Sequence, residues 1–188
     1  MTTYETNRRE ANAHWLNGWR IAGWGALLAL LALPAIGMAL TGEVDWTPGD
    51  FVAAAVLLGM LGIGGELAVR WGRNAPHRLA LGIFALGVFL TLWSNLAVGI
   101  IGAESAPING VFTILTLVAV LAALVVKLRA RAMRWIAGVL ALAPPVLGVA
   151  ALSVMPGHAV EWGLLAAMSL AWALDSALFT VAGKRERA

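Results

Sequence analysis

Two acidic residues stand inside long apolar stretches, where an ionisable side chain is costly to retain. Glu66 lies four residues before Arg70, and Asp175 lies nine residues before Lys184. Ionisable groups in such surroundings commonly bind or carry ions and protons. Glu66 and Arg70 have the favoured order of a helical ion pair, so a structural pair is the alternative for Glu66. Asp175 has no basic residue within reach on its own stretch. It is the stronger candidate, with an inter-helix hydrogen bond as its alternative.

A second group of candidates consists of polar residues toward the opposite end of the stretches. Counted at about 1.5 Å per residue, the amide of Asn95 lies some 10 Å below that boundary. Its companions are Ser94, Thr116 and Ser169, with Glu104 outside them. If these side chains face one interior, they form a ligand-binding polar layer and, with the two acids, a polar line. Ordinary interhelical hydrogen bonds, worth about 0.6 kcal/mol each, are the alternative.

Several chemistries lack their residues. Cysteine is absent, which excludes thiol catalysis and iron–sulfur ligation. The three histidines fall outside the apolar stretches, so haem ligation inside a membrane is not expected. The two lysines stand at the ends of stretches, so a retinal Schiff base is not expected either. No metal-binding or nucleotide-binding motif occurs. We therefore expect no cofactor, no metal and no enzymatic activity.

The elements that carry these residues are six apolar stretches. Of the 188 residues, 61% are hydrophobic and 12% are charged, which excludes a soluble globular domain. Because about 20 apolar residues span a bilayer, each stretch predicts a transmembrane helix. The predicted spans are residues 21–40, 51–69, 79–102, 111–126, 135–155 and 160–183. Residues 1–20 form an interfacial N-terminal segment, and residues 184–188 form a tail. The fold class is an all-α, six-transmembrane-helix bundle.

The charges predict the orientation of this bundle. All 13 basic residues fall before the first span, in the loops after the second and fourth, or after the sixth. The positive-inside rule therefore predicts that both termini are cytoplasmic. The net charge of +3 is explained by this topology, with anionic headgroups as neighbours, and no basic domain for nucleic acid is present.

Prolines and glycines within the predicted spans bear on the mechanism. Pro144 and Pro145 lie near the middle of the fifth span and are expected to kink it, because each frees a carbonyl one turn earlier. A helix broken at this depth is a feature of transporters, and a static kink is the alternative. In the third span, Gly99 and Gly102 are predicted to continue the helical face of Asn95.

The first span has an alternative interpretation. Arg20, the apolar run to Leu33 and the residues up to Ala39 are similar to a signal peptide. Cleavage after Ala39 would leave five spans and an external N-terminus.

Residues 93–104, with the sequence WSNLAVGIIGAE, and the shorter segments 46–51 and 66–68 carry a resemblance. In these segments the chain resembles a group of small, uncharacterised bacterial inner-membrane proteins that have four hydrophobic helices. The resemblance covers residues 20 to 130 and makes the last two spans an addition. It implies a bacterial inner membrane and brings no activity, ligand or catalytic residue.

Three functional hypotheses follow. The first is a small transporter or channel for a proton, an ion or a small polar solute. The second is a non-catalytic accessory subunit of a larger membrane complex, whose partner is another membrane protein or a second copy of the chain. The third is a binder of a lipid or quinone-type ligand, with Trp93 and Trp172 lining a pocket, although core packing explains these two rings as well.

Overall fold

The computed structural model describes residues 18–103, 105–155 and 160–187. Within these residues all regular structure is helical, and six helices are long and apolar enough to cross a membrane. They are α1 (Gly18–Leu40), α2 (Pro48–Trp71), α3 (Ala75–Ala97), α4 (Pro107–Val125), α5 (Ala130–Val154) and α6 (Trp162–Arg185). The predicted all-α, six-helix architecture of a multi-pass membrane protein is confirmed.

Helix α3 begins four residues before its predicted span because a capping residue precedes the apolar run. The side chain of Asn74 accepts a hydrogen bond from the backbone N–H of His77 at 2.9 Å. Pro76, in the first turn, has the fixed φ that a helix start favours. His77 therefore lies in the first turn of this helix, two residues before the predicted span begins.

The other end of α3 also differs from the prediction. The helix ends at Ala97, and Gly99 and Gly102 have φ values of 78° and 66°. These angles belong to the left-handed region that glycine adopts without strain. The prediction that both glycines continue the helical face of Asn95 is wrong, since they turn the chain into the loop before α4.

The chain divides into two compact units, with the boundary inside α2 after Gly62. In the first unit, α1 has no buried residue. Gly62 provides a close approach within this unit, because a Cβ there would lie 2.7 Å from the ring of Trp24 and 2.9 Å from Leu27. Thr47 and Asp50 cap the start of α2 reciprocally, with the Asp50 carboxylate accepting from the Thr47 N–H at 2.7 Å.

In the second unit, helices α3 to α6 form an up-and-down bundle. Consecutive helices pack against each other, and α6 closes the bundle against α3. We call the end that holds the start of α3, the α4–α5 turn and the end of α6 the basic end. The described residues of the α3–α4 loop, 98–103 and 105–106, lie at the opposite end.

Helix α5 runs without interruption through both prolines. A proline at position 145 removes the N–H that would bond the carbonyl of Ala141. The hydroxyl of Ser169 on α6 donates to that carbonyl at 2.6 Å. The neighbouring helix thus satisfies a backbone group that Pro145 leaves free, which favours a static structural role for the proline pair.

Candidate functional site

Asp175 is the most isolated polar group in the bundle. Its side chain is 0% exposed, and both carboxylate oxygens are buried without a hydrogen-bond partner in the described part of the chain. Trp172 and Phe179, at i−3 and i+4 on the same helix, are also buried and share its inward face. The structure therefore surrounds a carboxyl group with apolar side chains and gives it no compensating bond.

The packing of neighbouring helices shows what lies opposite Asp175. His77 meets Phe179 edge-on, with ring centroids 5.9 Å apart, and Phe84 meets Trp172 in the same way at 5.6 Å. Residue numbers rise along α3 as they fall along α6, so these pairs fix an antiparallel register. By this register Asp175, four residues before Phe179, is level with Leu81, which is buried.

The same argument applies to α5. Ser176 donates to the carbonyl of Arg134 at 2.8 Å, and Ser169 donates to that of Ala141. This register brings Asp175 level with Trp135, one residue from Arg134. At this depth the carboxyl group is completely buried.

Asn95 lies at the opposite end of the bundle and makes structural contacts. Its Nδ2 donates to the backbone carbonyl of Asn109 at 2.7 Å and to the hydroxyl of Thr113 at 2.6 Å. Its Oδ1 is buried and has no partner among the described residues. The amide joins α3 to α4, as expected of interhelical hydrogen bonding, and leaves one acceptor unused.

Asn109 has a structural role that the sequence analysis did not identify. Its Oδ1 accepts from the backbone N–H groups of Ile100 and Ile101 at 3.0 and 3.1 Å. Its Nδ2 donates to the carbonyls of Ile101 and Ala103 at 3.2 and 2.8 Å. Ile100 and Ile101 are thereby held in an apolar cluster with Phe112 at this end of the bundle. The Pro-Ile-Asn sequence at the start of α4 is the only sequence signal for this role.

Glu66 is paired at the surface. The Nε of Arg70 lies 3.4 Å from Glu66 Oε2, and their side chains are 47% and 21% exposed. The pair has the i,i+4 geometry of ordinary helical ion pairs. Glu66 thus differs from Asp175, because Glu66 is partly exposed and lies next to a cationic side chain.

The remaining candidates do not join one site. Thr116 is buried in the bundle, Ser94 is partly buried, and Ser169 bonds the α5 backbone as described above. Glu104 lies outside the described residues. Thr91 is a buried polar residue on α3. It lies ten residues further along α3 than the level of Asp175, which corresponds to about 15 Å.

This interval is filled by apolar side chains. Phe84, Val88 and Trp172 are buried there, and the Trp172 ring packs where a Cβ on Gly87 would lie only 2.7 Å away. The predicted polar line is therefore interrupted. Trp172 packs as a core residue in this conformation, while Trp93 stacks on Phe89 with centroids 5.7 Å apart.

His77 was missed as a site residue because the apolar run begins after it. It is 1% exposed, and its Nε2 lies 2.9 Å from the carbonyl oxygen of Leu128. Its Nδ1 lies 3.5 Å from Glu186 Oε1. The Asn-Ala-Pro-His sequence before the apolar run was the signal, because Asn is a capping residue and Pro suits a first helical turn.

Arg134 is a further polar group with an unused donor. Its Nε is buried without a partner in the described residues, and its guanidinium carbon lies 4.8 Å from the Trp135 ring centroid. No group of three or more His, Asp or Glu residues able to hold a metal ion occurs in ranges 18–103, 105–155 and 160–187. Among the described residues, Asp175 remains the only buried acid.

Comparison of the chain with protein-family models, with curated protein sequences and with solved structures finds no match.

Proposed function

We propose that this chain is a small membrane transporter of protons in which Asp175 takes up and releases the proton. The observation that carries the proposal is the complete burial of both Asp175 oxygens without a hydrogen-bond partner among the described residues. The sequence-based hypothesis named protons, ions and small polar solutes as possible cargo of a transporter or channel. The proposal selects the proton.

The free-energy cost of burying a charged carboxylate supports the proton as the transported ion. An aspartate placed at the centre of a membrane helix costs about 2.5–3.5 kcal/mol, and buried charges normally have a partner. A proton on the carboxyl group removes the charge and needs no additional space. Asp175 and the Leu81 side chain at its level on α3 are both buried, whereas a hydrated cation needs space for its water shell.

The two ends of the bundle support a transporter more than an open pore. Ile100 and Ile101 are buried at one end, and Phe179 is buried between Asp175 and His77 at the other. A proton reaches Asp175 only if one of these closures moves. Alternating exposure of a central site to the two sides is the behaviour of transporters.

The proposal includes a location and an orientation. Because all 13 basic residues fall on one side of the six predicted spans, we place the basic end and both termini in the cytoplasm. The resemblance in residues 93–104 supports a bacterial inner membrane. The basic side contacts anionic headgroups, and the proposal requires no cofactor, metal or catalytic step.

Proton flux in proteoliposomes tests the proposal. Purified protein is reconstituted with a pH-sensitive dye inside the vesicles, and a potassium gradient with valinomycin drives proton entry. Wild-type protein should acidify the lumen faster than protein-free vesicles, and Asp175→Asn should reduce the rate to that background. Asp175→Glu, which keeps an ionisable group, should retain part of the flux.

Glu66→Gln is the matched control, because it removes an acid from a paired, partly exposed position. Equal rates in wild type and Asp175→Asn would refute the role of Asp175. Wild-type rates equal to those of empty vesicles would refute proton transport altogether.

A second candidate, an accessory subunit of a membrane complex, is favoured by α1. None of its residues is buried, and large side chains such as Trp19, Leu28 and Leu40 are exposed along it. Lipid covers such a helix equally well. Purification in mild detergent distinguishes the two, since a stoichiometric partner supports the accessory subunit and an active homogeneous protein supports the transporter.

A further inference from the structure

A buried histidine and a glutamate lie where the basic end of the bundle meets the solution. His77 is 1% exposed, and its Nδ1 lies 3.5 Å from Glu186 Oε1. The backbone N–H of Arg73 also approaches Nδ1, at 3.3 Å. On the other side of the ring, Nε2 lies 2.9 Å from the carbonyl oxygen of Leu128. All these partners are on the edge of the ring, and the Phe179 ring packs against it in a T-shaped arrangement.

These contacts define two states of the imidazole that exclude each other. A carbonyl oxygen only accepts hydrogen bonds, so Nε2 carries a proton. When Nδ1 is unprotonated, it accepts the Arg73 N–H. When Nδ1 is protonated, it donates to the Glu186 carboxylate, and the Arg73 N–H loses its acceptor. The surroundings thus provide a bond for the neutral ring and an ion pair for the charged ring.

We infer that His77 and Glu186 form the proton-exchange site through which Asp175 communicates with the solution at the basic end. This inference rests on the proposed function and adds the next group on the proton's route. Phe179 stands between the two sites, four residues or about 6 Å from Asp175 along α6. Its ring is completely buried and contacts the His77 ring, so its displacement opens the route.

The inward transfer balances as follows. The O–H bond of a protonated Glu186 breaks as an N–H bond forms at Nδ1 of His77, which leaves a carboxylate and an imidazolium. The imidazolium gives its Nδ1 proton to a water molecule that enters when Phe179 moves, and the proton on Nε2 stays in place. That water protonates the Asp175 carboxylate, and the imidazole is neutral again.

The charged groups around His77 determine how readily it exchanges protons. Glu186 is the only one that contacts the ring, and its Oε2 lies 3.6 Å from Arg73 Nη1. The other charged groups on the elements packed here are Arg78, whose Nε donates to the Gly72 carbonyl, and the partly buried Arg134. Besides Arg78, those that are exposed are Lys127, Arg129, Arg131, Lys184, Arg185 and Arg187. Glu186 is therefore the charged group placed to exchange a proton directly with His77.

A purely structural role for His77 is the competing explanation. Lys127 and Leu128 have φ values of 54° and 53°, which are strained for residues with side chains. The bond from Nε2 to the Leu128 carbonyl stabilises that turn. His77→Gln keeps a side-chain N–H donor for this carbonyl and cannot titrate, so it separates proton exchange from the support of the turn.

The experiment measures proton flux in proteoliposomes as a function of pH. Wild-type flux should vary across the range in which imidazoles change charge, about pH 5 to 8. In His77→Gln, flux should fall roughly a hundredfold, the low end of what a positioned proton-transfer group contributes, and become flat across that range. Glu186→Gln should lower the flux and keep its pH dependence. Phe179→Leu should raise the flux, and the increase should disappear in the Phe179→Leu, Asp175→Asn double variant.

A histidine-only measurement covers the case in which His77→Gln does not fold. In a background with His14→Gln and His158→Gln, the side-chain ¹⁵N spectrum reports His77 alone. The neutral ring should carry its proton on Nε2. In Glu186→Gln, the pH range over which Nδ1 becomes protonated should differ from that of wild type. A neutral ring protonated on Nδ1, or a His77→Gln flux with wild-type size and pH profile, overturns the inference. Loss of flux in Asp175→Asn alone would then leave the proposed function standing.

Discussion

Replacing Asn109 by alanine is expected to open the end of the bundle that lies opposite the basic end. The substitution removes four hydrogen bonds to the backbone of residues 100–103, two accepted and two donated by the amide. Each bond contributes about 0.5–1.5 kcal/mol, so the loss lies between about 2 and 6 kcal/mol. Interhelical bonds in membranes lie near the low end of that range, so about 3 kcal/mol is the expected value.

Two assays follow from this magnitude. For a chain of this size, about 3 kcal/mol lowers the melting temperature by roughly 6–12 °C, which tryptophan fluorescence in detergent detects. The N–H groups of Ile100 and Ile101 should also exchange with deuterium roughly a hundredfold faster, because local opening becomes easier by the same free energy. Their exchange is the more specific readout, since the Asn109 side chain bonds only to this segment among the described residues.

Asn95→Ala is the matched comparison. It removes two bonds within the same layer, and neither of them reaches the α3–α4 loop. It should lower stability by about half as much and leave exchange at Ile100 and Ile101 nearly unchanged. If Asn109→Ala melts like wild type and exchanges at the same rate, the assignment of Asn109 as the anchor of this loop is wrong.

Three further substitutions test other parts of the structure. Ser169→Ala should cost about 1 kcal/mol in thermal unfolding, because it leaves the Ala141 carbonyl beside the proline pair without its 2.6 Å bond; wild-type stability would contradict this role. Gly99→Ala should destabilise by about 1 kcal/mol because its φ is 78°, whereas Gly59→Ala, in open helical space, should be neutral or stabilising; equal melting temperatures would refute the distinction. Glu66→Gln should leave the proton flux within about twofold of wild type, since a partly exposed ion pair contributes little; loss of flux would return Glu66 to the transport path.

The helix count was predictable because membrane spanning imposes a length and a composition that the sequence displays directly. Helix ends were less predictable where a local feature overrides the apolar run. Asn74 starts α3 before its first apolar residue, and Gly99 ends it inside an apolar segment. In both cases a capping residue or a residue in the left-handed region determines the helix end, and the hydropathy of the sequence does not show it.

The candidate site was predictable only in part. The sequence shows that Asp175 lacks a basic neighbour on its helix, and its carboxylate oxygens have no hydrogen-bond partner among the described residues. Which way the side chain points depends on the register between α3, α5 and α6, and one sequence does not contain that register. Ser169 was grouped with a ligand-binding layer for the same reason, since its partner on α5 lies 28 residues away along the chain.

The central claim is that Asp175 carries a proton that exchanges with solvent during transport. Infrared difference spectroscopy tests it most directly, because a protonated carboxylic acid has a carbonyl stretch distinct from that of a carboxylate. We expect wild-type protein in liposomes to show such a band, Asp175→Asn to remove it, and transfer to D₂O to shift it. A spectrum in which Asp175→Asn removes only carboxylate bands, or a band that never shifts in D₂O, would contradict the account.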